Sequence, residues 1–169
     1  MANADSNTIA RPEIESAITM QLKTPLGATH DLFQLLDGCQ RDADALIEND
    51  NNTECMALCG RLLAGLEVMK GTLKAPLPDH LIKRLTVNNI NADDYRCPIS
   101  TDSETLREYC VALTIVLLNH QESAEQKAHI TGMLFEMVNL LVDDLKAPRF
   151  IDTGEGLAMI SGEKVSVIH

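Results

Sequence analysis

The chain has 169 residues and a mass of 18.5 kDa, the size of one domain around one core and enough to bury roughly 70% of its unfolded surface without disulfide or metal staples. Lys and Arg number 14 against 25 Asp and Glu, for a net charge of −11, and only 3% of residues are aromatic, with no Trp. This balance weighs against nucleic-acid binding, which needs clustered cations on phosphates or aromatic platforms under bases.

Residues 1–8 are small and polar with Asp5, and they lack the basic and apolar stretches of a secretory signal. The longest apolar run, residues 111–118, is interrupted by Thr114 and falls far short of the roughly 20 residues that span a bilayer. A cytoplasmic chain without a membrane segment is therefore expected. Its five cysteines, Cys39, Cys55, Cys59, Cys97 and Cys110, read as reduced thiols, most of them small buried residues of helices.

Hydrophobic spacing supplies the fold class. Pro12 stands at a first helical position before Ile14, Ile18 and Leu22, which predicts a short N-terminal helix ending before Pro25. Leu32, Leu36, Cys39, Ala43 and Leu46 then step by three and four residues, the period of a helix with one buried stripe. After a polar break at residues 48–52 the stepping resumes at Cys55, Cys59, Leu62, Leu66, Met69 and Leu73, and Pro76 and Pro78 close it. Pro78 also opens a short helical turn through Leu81, Ile82 and Leu85, with turns at Asn88-Asn89 and Asn91-Ala-Asp-Asp94.

Leu106, Cys110, Leu113 and Leu117 mark a third long helix. Thr101-Asp-Ser-Glu104 reads as the capping box that starts it. Ser123-Ala-Glu-Gln126 is a second such box, and Ile130, Leu134, Val138, Leu141 and Leu145 carry a fourth helix to Pro148. The apolar run at 111–118 predicts that the third helix is the central one.

The second helix pair echoes the first. Residues 62–76, LLAGLEVMKGTLKAP, match residues 134–148, LFEMVNLLVDDLKAP, at an offset of 72, and Leu35, Cys39 and Leu46 match Leu106, Cys110 and Leu117 at 71. Internal duplication and chance similarity of two Leu-rich helices both account for this. The expected architecture is a mainly α single domain, 1–169: two antiparallel helix hairpins at 29–76 and 101–148, a short N-terminal helix, a connector at 77–100 and a β-like tail at 149–169. In the tail, Phe150-Ile151, residues 157–160 and residues 165–168 flank glycines and read as a small β-hairpin. A lone hairpin is marginal in water, so its edge, including Leu157, Met159, Val165 and Val167, is expected to meet the bundle, a second copy or a partner.

Three constellations bear on function. Cys55 and Cys59 lie one helical turn apart, with Cys39 on the facing helix, a candidate soft-metal or redox site; the bland reading makes all three core residues. His30-Asp31 at a helix start, or His129, could anchor a motif-less enzyme pocket, although Asp31 also suits the positive end of a helix. Asp143-Asp144 lies where a helix dipole disfavours anions and reads as a contact for a basic partner, against a solvated acidic face as the plain alternative. No phosphate-binding loop, dinucleotide turn, nucleophile elbow or HExxH pair is present. No cofactor is expected.

Residues 1–85 carry net charge −4 and residues 86–169 net −7, so the second half is the more acidic and would steer toward a basic protein patch. The leading expectation is a non-catalytic protein-binding module, such as a regulator, inhibitor or immunity-type partner. A homodimer is also expected, because narrow stripes and a lone hairpin are readily completed by a second copy.

Overall fold

A computed structural model describes residues 17–27, 29–88 and 101–160. Its elements, in chain order, are α1 (Ala17–Lys23), α2 (Leu32–Ile47), α3 (Asn52–Thr72), α4 (Asp79–Arg84), β1 (Thr86–Val87), α5 (Ser103–Asn119), α6 (Ala124–Lys146), β2 (Phe150–Asp152) and β3 (Leu157–Met159). The fold is mainly helical, as the spacing predicts. Pro12, Ile14, Asn89, residues 91–94, Cys97 and the expected strand at Val165 and Val167 lie outside the described residues.

Local chemistry sets the helix starts. Asp31 caps α2 by accepting the Gln34 N–H at 2.8 Å, while the Gln34 side chain accepts the Asp31 N–H at 2.9 Å. Asn51 caps α3 through the Thr53 and Glu54 amides. Ser123 and Gln126 form the predicted box at α6. At α5 the prediction is one residue off: Asp102, not Thr101, is the cap, and it accepts the Thr105 N–H at 2.8 Å and the Thr105 hydroxyl at 3.1 Å. A carboxylate is the stronger acceptor at the positive end of a helix, so Asp102 displaces the hydroxyl reading. His120 ends α5 in a left-handed conformation, φ 53°, which turns the chain sharply into α6.

The four long helices close a ring in which α2 packs on α3 and α6, and α5 packs on α3 and α6. Each therefore has two neighbours, and none is central. This corrects the expectation for α5: Ile115 and Val116, inside its apolar run, are exposed, because a helix with two neighbours buries only the sector facing them. The core series otherwise appears as read, with Leu35, Leu36, Leu58, Leu62, Leu66, Leu106, Leu134 and Leu141 almost wholly buried.

The two hairpins share one register. The caps Asp31 and Asp102 stand 71 residues apart, and Asn51 and Ser123 stand 72 apart. Leu35/Leu106, Cys39/Cys110 and Leu46/Leu117 are buried at the first offset, and Leu62/Leu134, Leu66/Val138 and Met69/Leu141 at the second. Common caps and a common core favour the duplicated-hairpin reading, since chance resemblance of two Leu-rich stripes gives no reason for the caps to align.

The tail hairpin is not alone. β1, from the connector, pairs parallel with β2 through Thr86–Phe150 and Val87–Ile151, and β2 pairs antiparallel with β3. The Arg149 and Phe150 amides both donate to the Leu85 carbonyl, at 2.9 and 3.0 Å. Phe150 and Leu85 are buried in the core, so the small sheet is fastened where the connector and the end of α6 meet.

Candidate functional site

The cysteine constellation is not assembled. Cys39 lies beside Cys110 in the middle of the bundle, where burial first, then the Asp42 carboxylate and Cys110, push its thiol upward. Cys55 and Cys59 lie instead near the α2–α3 turn; burial and the neighbouring Cys55 raise the Cys59 thiol to about 11, and burial raises Cys110 to about 12. Since the thiolate is the metal ligand and nucleophile, burial makes Cys39, Cys59 and Cys110 poor donors at neutral pH. The cavity touching Cys55 and Cys59 is only about 10 Å³, space for about one water. His120 also lines it, brought there by the end of α5 although it is distant in sequence. Among the described residues no group of three or more His, Cys, Asp or Glu side chains is placed to hold a metal ion.

The histidines of the enzyme reading have local partners. His30 Nδ1 lies 3.3 Å from the Gly27 nitrogen and 3.2 Å from its oxygen. Asp31 is occupied as the α2 cap and meets His80 Nε2 at 2.9 Å; burial pushes its carboxyl up, but the Gln34 amide and His80 outweigh this and hold it below the usual value. A groove of about 380 Å³ runs beside this pair, lined by Leu32, Val68, Leu77 and Leu81 with Pro76 and Pro78. His30, Asp31 and Thr72 are the polar side chains of its lining, and Asp31 is already engaged as the α2 cap. His129 is exposed on α6.

Two buried charge clusters escape a sequence reading. Asp42 is fully buried and accepts Gln21 Nε2 at 2.6 Å and Arg61 Nε at 2.9 and 3.0 Å; burial pushes its carboxyl up against these donors. Arg107 is 2% exposed. It donates to the Leu66 carbonyl at 3.4 Å and reaches Glu67 and Glu108 at 3.6 and 3.5 Å. Periodicity assigns both positions to a helix face without saying that a charge sits inside it.

The predicted partner-binding residues divide. Asp143 is exposed, whereas Asp144 is half-buried, accepting the Ser103 hydroxyl at 2.6 Å and facing Arg149 at 3.8 Å. Asp144 therefore ties α5 to α6. Leu157 is half-buried and Met159 exposed on β3; Val165 and Val167 are not among the described residues. The structure adds what spacing missed. Tyr109 and Val116 of α5 and Met133 of α6 are large apolar side chains left in water. The signal was present: α6 carries a second apolar series, Ile130, Met133, Met137 and Leu140, beside the core series of Leu134, Val138, Leu141 and Leu145, and one helix face cannot bury both.

Comparison with protein-family models, with curated proteins and with solved structures finds no match in any of the three. Function therefore rests on the geometry of this chain. Among the described residues no helix is long and apolar enough to cross a membrane.

Proposed function

We propose that this chain is a non-catalytic protein-binding module, in the class of regulators, inhibitors or immunity-type partners, whose acidic surface takes a basic patch on another protein. The observation that carries the reading is the acidity of the second hairpin: residues 103–146 hold seven carboxylates and three basic side chains, and of those three Arg107 is buried and Lys146 is held by Asp37. An outward negative field of this kind steers and orients a basic partner. We assign Asp143 and Met159, both exposed, to that surface.

In support of the non-catalytic half of the reading, several chemistry-bearing residues have structural roles among the described residues: the thiols of Cys39, Cys55, Cys59 and Cys110 in the core, Asp31 as a helix cap, and Asp42 paired with Arg61. The four cysteines among the described residues are free thiols, which suits the reducing cytoplasm the reading assumes. The homodimer is not carried into the proposal, since β1 completes the tail hairpin and every long helix has two neighbours within the chain.

Affinity capture from lysate, washed at about 0.05 M and then about 0.5 M salt, tests the reading, because screening shortens from roughly 14 Å to about 4 Å over that range. A basic protein retained at low salt, released at high salt, and lost when Asp143 and Glu136 are changed to Lys is the expected result. Capture indifferent to salt, or no partner at any ionic strength, overturns it.

A further inference from the structure

The outer seam of the first hairpin is already covered by a helix. Leu26, just after α1, enters between α2 and α3 where Gly38 and Gly65 leave room: a Cβ on Gly65 would stand 2.9 Å from Leu26 Cδ1, and one on Gly38 would overlap Leu26 Cδ2. Ile18 and Leu22 precede it at steps of four residues and pack on the same core, and Gln21 reaches Asp42. The segment from Ile18 to Leu26 is thus an amphipathic strap along the groove between the two helices.

The shared register locates the same groove on the second hairpin. At the offset of 71, Gly38, Asp42 and Ala45 correspond to Tyr109, Leu113 and Val116; at 72, Arg61, Gly65 and Val68 correspond to Met133, Met137 and Leu140. All six counterparts are apolar. Yet Tyr109 is 49%, Val116 41% and Met133 55% exposed, whereas Gly38, Asp42 and Gly65 under the strap are buried. Asp144 lies within about 40° of Met133, Met137 and Leu140 round α6, so its bond to Ser103 turns that flank of α6 toward α5, while Arg107, about 120–180° round α5 from Tyr109, Leu113 and Val116, reaches α3. The six therefore line one seam, its inner residues Leu113, Met137 and Leu140 half-buried and its outer three left uncovered by the described residues, where the twin seam is covered.

We propose that the outer seam of α5 and α6 is the docking groove for a basic amphipathic helix of another protein, laid across the second hairpin as the α1 strap lies across the first. This deepens the protein-binding reading and rests on it. The apolar stripe specifies a helix with aliphatic residues at three- and four-residue steps. Glu108, Glu136 and Asp143, exposed on the same hairpin, specify the charge of its polar face, since a second copy of this chain would set acid against acid. Tyr109 and Met137 stand where the first hairpin has glycines, so the partner helix rides on the seam instead of sinking into it, on methionines that adapt to varied aliphatic surfaces.

The test uses the full chain and a fluorescein-labelled Leu/Lys amphipathic peptide of about 18 residues, five helical turns, in anisotropy titrations at about 0.15 M salt. Saturable binding is expected, with the Met133 and Met137 methyl resonances shifting. Met133→Glu should weaken binding tenfold or more, although the added negative charge would tighten a purely Coulombic complex. Ile115→Glu, one residue before Val116 and 100° round the helix, should bind as tightly as the unaltered chain or more so, and circular dichroism should show both variants folded.

Undiminished binding to Met133→Glu, or equal affinity for a Leu/Glu peptide, overturns the proposal. So does concentration-dependent association of the chain alone that Met133→Glu abolishes, which assigns the seam to a second copy. A basic partner captured from lysate equally by Met133→Glu and by the unaltered chain overturns the seam while leaving the broader reading intact. Loss of all salt-sensitive capture overturns the broader reading, and with it the seam's role.

Discussion

Arg107 and Asp42 are both charges inside the bundle, but their partners differ in a way that decides what each contributes. Asp42 and Arg61 bury each other, with the Arg61 side chain 9% exposed. Removing one leaves the other uncompensated, so Asp42→Ala should cost about 3–5 kcal/mol, read from the urea midpoint. Arg107 is buried alone, its Nε without a partner among the described residues, and its carboxylates Glu67 and Glu108 remain in water. Its counterpart in the first hairpin is the fully buried Leu36. Arg107→Leu should therefore leave stability unchanged or raise it by about 1–2 kcal/mol; a loss of similar size would show that the long contacts to Leu66 and Glu67 outweigh desolvation. Asp31 supplies the pH dependence. Its carboxyl is held below the ordinary value, so its contribution is present above about pH 4 and lost as pH falls through the lower folded-state value. Asp31→Asn keeps a good cap without the titration. The stability difference between the two proteins, measured by urea unfolding, should be present at about pH 6 and shrink as pH falls below the ordinary carboxylate range.

At the scale of the element, caps and stripe width do most of the explaining. The α6 box joins Ser123 to the Gln126 amide and Gln126 to the Ser123 amide, satisfying two donors that a helix start leaves open. Ser123→Ala should lower stability by about 1 kcal/mol, with amide exchange rising first in the opening turn of α6. Stripe width separates α2 from α6. The apolar residues of α2, Ile47 apart, form one band facing the core, and its polar positions face water, the strap or, at Asp37 and Gln40, α6. In α6 two bands lie side by side: the first is buried, whereas in the second Ile130, Met137 and Leu140 are half-buried and Met133 is exposed among the described residues. That imbalance is an element-level property, and it is where the molecule has surface to spare for a partner.

At the scale of the whole molecule, the connector and the tail hold the end of the bundle together. β1 and β2 are distant in sequence, yet Leu85 accepts both the Arg149 and Phe150 amides, and Phe150 is 8% exposed. Phe150→Ala should cost about 3 kcal/mol and remove exchange protection at β1 as well as β2, because the two strands share one anchor. A variant in which β1 stays protected would show that the connector is held independently.

The helices, the cap at Ser123, the place of Asp31 at a helix start, the hairpin repeat and the strands at Phe150 and Leu157 were legible in the residues themselves, because 3.6-residue spacing, cap chemistry and glycine turns act over a few neighbouring positions. The α5 cap moved by one residue because two adjacent acceptors competed. What no local pattern carried was which faces meet. Whether the run at 111–118 is central depends on how many helices surround α5, and whether Cys39 joins Cys55 or Cys110 depends on the level at which the hairpins pack. That β1 would find β2, that Arg107 would be buried, and that one outer seam would be covered by α1 while its twin stands open are consequences of long-range packing. They arise when contacts distant along the chain compete for the same apolar surface, and local sequence holds no record of the outcome.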